Sequence, residues 1–442
     1  MQFPNVVETK RWISKGSLAV LDQVLISGAN FAISILLARW SSSEDYGAFA
    51  VAFSVFLLLS QAHQALLLEP MSVFGASLYR SRVREYLGEL LQMHTVMAVA
   101  ILVVLDLCAI AAAFVWGSRI LGSALVGVSI AAPCVLLFWL ARRGFYLKHA
   151  PAPAAGAALF YTISILGGLY LARLLGVLTP FRAFIVMAGG ALATSAVMLM
   201  ALKPKFGALR ANADLRDAGR QHWEYGRWAL LGALAMWIPY NIYYPVLSVM
   251  KGIDGAADIK ALINLASPIQ RITVALALLL LPYIARITRD DGVDAAAAAT
   301  KRVTWLFCAG AIAYWVLVIA FRNDVVSLLY GGKYGGLQHL IPALAISSIL
   351  QAIAAAIVIG LRAIRSPVSV FIAYSASMAA SLTIGIAATW MWGLMGVIIG
   401  ISVSNLAAVI VALVLLKRCT CHPGEVTSTT SAVPVMSEAK AS

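Results

Sequence analysis

The chain has 442 residues, 62% of them hydrophobic and only 12% charged, with a mean hydropathy of +0.89, whereas soluble domains carry about 25% charged residues. That composition excludes a soluble globular core and points to a polytopic membrane protein. The formal charge of +14 would suggest nucleic acid in a soluble protein, so its distribution decides what it means.

Apolar windows of about 20 residues predict helices over 17–39, 46–68, 90–114, 120–140, 154–176 and 181–202, then over 228–249, 259–284, 303–321, 338–361, 367–389 and 393–416. Apolar segments recur to the end of the chain, unlike a secretory leader before a polar mature domain, so the first helix is expected to be retained. The expected class is all-α and integral to the membrane, with about twelve spans.

Lys and Arg test this count, because cytoplasmic loops hold an excess of them. They alternate as twelve spans require, with about 24 on one side, beginning at Lys10, Arg11 and Lys15, and about eight on the other, among them Arg39, Lys251 and Lys333. Both termini are then expected in the cytoplasm, and the charge calls for no nucleic-acid partner. The basic interval 203–227 is expected to link an N-lobe over 1–202 to a C-lobe over 228–418, with an anionic-lipid contact as a secondary role. The tail over 419–442 lacks an apolar helical period and is expected to be disordered. Of the five cysteines, Cys108, Cys134 and Cys308 lie in apolar segments and Cys419 and Cys421 at the start of the tail, a scatter that implies no disulfide framework. Cys419-x-Cys421-His422 is a metal fragment at most, and no cofactor is expected.

A shift of about 211 positions lays Asn30 on Asn241 and brings Glu69-Pro70 within a residue of Leu281-Pro282. Two copies with an even number of spans are related by an axis along the membrane normal, with a substrate site between them near the midplane. The expected architecture is therefore two pseudo-symmetric six-helix lobes around a central cavity.

Polar residues recur on single helical faces: Gln23, Ser27, Asn30 and Ser34 in the first helix, Trp237, Asn241, Tyr244 and Ser248 in the seventh, and Lys260, Asn264, Ser267 and Arg271 in the eighth. The second helix adds Ser54, Gln61 and Gln64 beside His63. Such stripes must face protein or water. Bonding between helices explains any one of them, and their recurrence in corresponding helices of both halves favours a shared hydrated cavity.

Arg271 lies near the middle of its helix, where a charge costs about 2.5–3.5 kcal/mol on insertion scales. Either a buried acid such as Asp22, Glu69 or Asp106 pairs with it, or it faces the cavity and attracts an anion, with Lys260 at the outer mouth of the same stripe. Its planar fork suits phosphate. Trp237, Tyr240, Tyr243 and Tyr244 offer faces that pack against sugars or anchor at an interface. Asp22 and Glu69 are either coupling sites for a proton or sodium ion or helix ends reaching interfacial water. Asp106 and His94 in the third helix are open to the same two readings. The glycine-rich stretch from Tyr330 to Gly336 lacks P-loop spacing and reads as a turn.

Lys15-Gly16-Ser17, Asp22-Gln23, Leu37-Ala38-Arg39, Tyr46-Gly47-Ala48-Phe49-Ala50 and Glu69-Pro70-Met71 follow one another along the first half. Leu329-Tyr330-Gly331 with Tyr334, and Gly393-Leu394-Met395-Gly396-Val397, follow in the second. In this order they resemble the O-antigen and polysaccharide (Wzx-type) flippases of the multidrug/oligosaccharidyl-lipid/polysaccharide exporter superfamily over residues 10–418. The resemblance implies two six-helix lobes around a cationic cavity that opens alternately to either face of a bacterial inner membrane. The implied cargo is an undecaprenyl-diphosphate-linked oligosaccharide, an O-antigen or exopolysaccharide repeat unit, driven by a coupling ion or the membrane potential. Membrane lipids and the polysaccharide polymerase and chain-length machinery are the implied partners, and Arg271 is the residue that fits the diphosphate-gripping cation. The multidrug branch carries a coupling carboxylate in its first helix, and Asp22 lies nearer the cytoplasmic end than that pattern requires.

A drug or metabolite antiporter of the same superfamily would favour an acidic midplane for cationic cargo. A membrane-embedded oligosaccharide polymerase or ligase would need a sizeable outer loop, whereas the outer intervals here are about 5–16 residues and hold no catalytic cluster.

Overall fold

The computed structural model describes residues 6–206 and 212–421. The tail from His422 onward lies outside the described residues, with the disorder expected of it and the last residue of the metal fragment. Cys419 itself is buried in the last helix as a free thiol.

Every regular element among the described residues is helical. The first six are α1 (Val6–Trp40), α2 (Ser43–Phe74, with a π turn at Gln64–Leu68), α3 (Val83–Phe114), α4 (Arg119–Leu147), α5 (Pro151–Leu174) and α6 (Pro180–Leu202). Then come α7 (Asn212–Asn241), α8 (Tyr243–Lys251) and a 68-residue run, Ile253–Ala320. A straight helix of that length would extend about 100 Å, more than three times a hydrocarbon core of about 30 Å. Gly292 breaks it with φ +87° and ψ 179°, leaving α9 (253–291) and α10 (293–320). After a short α11 (Arg322–Tyr330) the chain closes with α12 (Ile341–Ala363), α13 (Pro367–Trp392, with a π turn at Ser381–Gly385) and α14 (Leu394–Cys421). Among the described residues eleven helical runs, Leu215–Lys251 counted as one, are long and apolar enough to cross a membrane, and the break at Gly292 makes twelve spans of them.

The starts follow local chemistry. The Ser42, Ser118 and Thr179 side chains accept from the backbone N–H of Asp45, Leu121 and Arg182, each satisfying a donor that a first helical turn leaves orphaned. Pro151, Pro180 and Pro367 open their helices, where a missing N–H costs nothing.

The predicted seventh helix carries a one-residue irregularity at Ile242 inside a run, Leu215–Lys251, that remains one candidate membrane span. Proline lacks an N–H and clashes with the carbonyl four residues before it, and Pro245 stands four residues after Asn241, so the helix stops there and restarts at Tyr243.

The chain divides into two compact units, the first through Trp237 plus Leu247–Ala261, the second Ile238–Val246 plus everything from Leu262. In the first, α4 packs against α2, α3 and α6, and α1 against α5, around stacked rings of Phe49, Phe53 and Phe184. The start of α9 belongs to this unit because Gly47 admits the Ile253 backbone: a Cβ there would overlap the Ile253 carbonyl oxygen. Gly47→Ala is expected to destabilise the protein by about 1–3 kcal/mol, the usual cost of overpacking, seen as earlier loss of the monodisperse peak in a heating series.

In the second unit α14 packs against α12 and α13. Gly385 and Gly400 meet closely enough for the Tyr243 hydroxyl to sit against both, where it accepts a hydrogen bond from Ser381 Oγ at 2.9 Å.

Candidate functional site

The α9 stripe does not behave as one open face. Lys260, expected at an open mouth, is only 9% exposed, its Nζ 5.0 Å from the centre of the Phe53 ring in the first unit. Asn264 is 3% exposed and hydrogen-bonds Tyr330, while Ser267 is half-buried. Only Arg271 is exposed. Among the described residues it has no ion pair and no hydrogen-bond partner, and its neighbours Ile272, Val274 and Leu278 are exposed apolar side chains.

Of the candidate acidic partners of Arg271, Asp22 and Asp106 are engaged within the first unit. Asp22, 1% exposed, accepts from Arg142 through both of its oxygens, with Nε at 3.1 Å, and from the Tyr146 hydroxyl at 2.6 Å. Asp106 accepts from Ser129 Oγ at 2.7 Å. Glu69 is half-buried in α2, directly after the π turn. Asp22 thus sits in a saturated cluster of α1 and α4. His94 Nδ1 lies 3.3 Å from His63 Nε2 in a buried edge-to-face pair.

Other stripe residues divide between packing and exposure. Ser34 shares a 3.0 Å hydrogen bond with the Tyr46 hydroxyl, and Gln23 Nε2 donates to Ser27 Oγ at 3.4 Å, so part of the α1 stripe serves contacts within the protein. Asn30 and Gln64 are half-buried and Gln61 is exposed. Trp237 Nε1 donates to the Ser54 carbonyl at 3.2 Å. Asn241 is half-buried, whereas Tyr243 and Tyr244 are buried, which removes these two rings from any exposed sugar platform.

The second unit also contains a polar chain that the helical stripes do not reveal. Gln270 Nε2 donates to Gln351 Oε1 at 2.8 Å, and Gln351 hydrogen-bonds Tyr240. The Tyr240 hydroxyl donates to Asn405 Oδ1 at 2.6 Å, and Asn405 Nδ2 to the Ser347 carbonyl at 3.1 Å. Such a network in an apolar span holds α9, α12 and α14 in one register, because breaking it leaves polar groups unsatisfied in a low-dielectric setting. The members lie on different helices, so one helix at a time carries no sign of the connection. No group of three or more metal-binding side chains occurs among the described residues.

Solved structures place the fold. The chain is similar to an inward-facing multidrug resistance MATE transporter of the MOP superfamily, with a TM-score of 0.76 and 14% identity over 94% of this chain and all of that one. It is similar to the lipid II flippase MurJ in an inward closed conformation, with a TM-score of 0.66 and 16% identity over 90% of this chain and 87% of that one. A eukaryotic MATE transporter gives 0.61 at 14% identity over 94% and 99%. No protein-family model matches the sequence, and a search of curated proteins gives no match. The chain has the all-helical, two-lobed membrane fold that MATE transporters and MurJ share.

Proposed function

We propose that this protein is a transporter, not an enzyme, and that its cargo is an anionic lipid-linked oligosaccharide of the undecaprenyl-diphosphate type, moved from the inner to the outer leaflet of a bacterial inner membrane. One observation carries the reading: an exposed guanidinium without a protein partner among the described residues, in the middle of an apolar span. A charge in that place is tolerated where it meets water or an anion, and the guanidinium fork matches a phosphate with two parallel hydrogen bonds. Similarity of fold to MurJ, a lipid II flippase, supports a lipid-linked cargo. Asn30, Gln61 and Gln64, which keep some exposure, are the stripe residues best placed to meet sugar hydroxyls. The excess of basic residues on one side supports cytoplasmic termini.

The likeness to MATE transporters favours a second reading, an antiporter of drugs or metabolites, and the charge of Arg271 opposes a cationic cargo. The two separate in proteoliposomes. The protein is expected to carry a fluorescent undecaprenyl-diphosphate oligosaccharide across the bilayer, scored by protection from a membrane-impermeant quencher, and to leave a cationic dye where it is. Movement of the dye with no movement of the lipid overturns the reading. A proton gradient, a sodium gradient and a potential imposed singly in the same vesicles identify the driving force.

A further inference from the structure

The first unit contains a groove of about 340 Å³ between α2, α3 and the N-terminal half of α7. Its walls are apolar, among them Leu67, Met93, Val96 and Met97. The groove exists because α7 touches α2 at one end and parts from it at the other. At Gly226 the contact is tight, with a Cβ position 2.8 Å from the Ala65 carbonyl oxygen. One turn earlier His222 bridges the gap, Nδ1 lying 2.9 Å from the Leu66 carbonyl and Nε2 2.7 Å from the Tyr86 hydroxyl. Leu66 needs an outside donor because the residue four positions on, Pro70, has no N–H. A further turn back, Gly219 lines the groove and its Cβ position meets nothing within 4 Å. Contact at 226, a bridge at 222 and open space at 219, all on one helical face, describe a wedge that widens toward the start of α7.

The adjacent face of α7 carries Arg216, Arg220, Trp223 and Arg227 at spacings of four, three and four, all exposed. Arg220 forms a 3.4 Å ion pair with Glu224, itself largely exposed. Trp223 and Val96, which line the groove, are also exposed, so its rim is apolar. Exposed Tyr225 and Trp228 are residues of the kind that sit at headgroup level.

We propose that this groove binds an anionic glycerophospholipid, one acyl chain lying between α2, α3 and α7 and the phosphate against Arg216 and Arg220. Apolar walls take the chain, and the arginine row supplies the charge complementarity that selects an acidic headgroup. The site lies wholly in the first unit and does not depend on the transport reading.

The test uses the full chain in phosphatidylcholine vesicles doped with a phosphatidylglycerol carrying a photoactivatable acyl chain, the labelled peptides being mapped by mass spectrometry. Label is expected on peptides containing Met93 and Gly219. Gly219→Phe places a ring in the open space and is expected to abolish that label, whereas Gly219→Ala adds one methyl to the void and is expected to retain it. Arg216→Gln and Arg220→Gln, on the exposed face, are each expected to reduce labelling about fivefold, as for a basic residue near an anionic surface. Equal labelling by a photoactivatable phosphatidylcholine overturns the proposal, and so does undiminished label in a Gly219→Phe variant that elutes as the unaltered protein. Displacement of the label by a polyprenyl phosphate but not by phosphatidylglycerol also overturns it and assigns the groove to an isoprenoid chain.

Discussion

Arg271→Ala is expected to abolish translocation of the lipid-linked oligosaccharide while leaving the protein as stable as before. Truncating one member of a buried, hydrogen-bonded charge pair costs about 2–5 kcal/mol, so loss of a diphosphate contact weakens cargo binding at least about thirtyfold. The folded protein without cargo loses no contact by the same change, because Arg271 has no protein partner among the described residues. Loss of transport without loss of stability separates this role from a structural one. Arg271→Lys keeps the charge and loses the fork, and should retain partial transport with weaker apparent affinity. Transport assays on the three proteins, paired with melting followed by size-exclusion chromatography, check the result; a destabilised Arg271→Ala that still moves cargo would remove Arg271 from the site.

The second large effect is expected at Asp22. Its carboxylate is held by Arg142 and Tyr146 and is 1% exposed, so Asp22→Asn or Arg142→Ala leaves a charge buried without its counterpart. Breaking such a pair typically costs about 3–5 kcal/mol, while Tyr146→Phe removes one hydrogen bond to a charged group, about 1.5–3 kcal/mol. Neutralising both partners, Asp22→Asn with Arg142→Gln, should recover part of the loss, as coupling between contacting residues requires. Comparative unfolding in detergent reads these costs. If Asp22→Asn proves fully stable yet transports without dependence on an imposed ion gradient, the carboxylate is a coupling site and the structural account of the cluster fails.

These two sites differ in how much of them is legible in the chain. Arg271 stands out because the cost of a midspan charge depends on depth alone, and depth follows from counting along an apolar run. Asp22 shows its burial only through Arg142, 120 positions away, which the apolar window leaves just outside the predicted fourth span; the helix in fact continues to Leu147. Periodicity placed Lys260, Asn264 and Arg271 on one face, but a face says nothing about what covers it, and Phe53 and Tyr330 cover the first two. Pro245 did carry a readable instruction, since its ring conflicts with the Asn241 carbonyl, and an apolar window is blind to it because hydropathy ignores the backbone.

What the sequence determined by itself was the class of molecule and its spans: lipid leaves backbone groups unsatisfied unless each crossing segment is a helix, so apolar length converts directly into helices, twelve here once Gly292 divides the longest run. The tertiary structure alone decided which polar groups are engaged. The pairing of Asp22 with Arg142, the chain from Gln270 to Asn405, and the gap at Gly219 each depend on residues remote in sequence meeting at hydrogen-bond or van der Waals distance. Packing between helices sets those distances, and no local pattern encodes it.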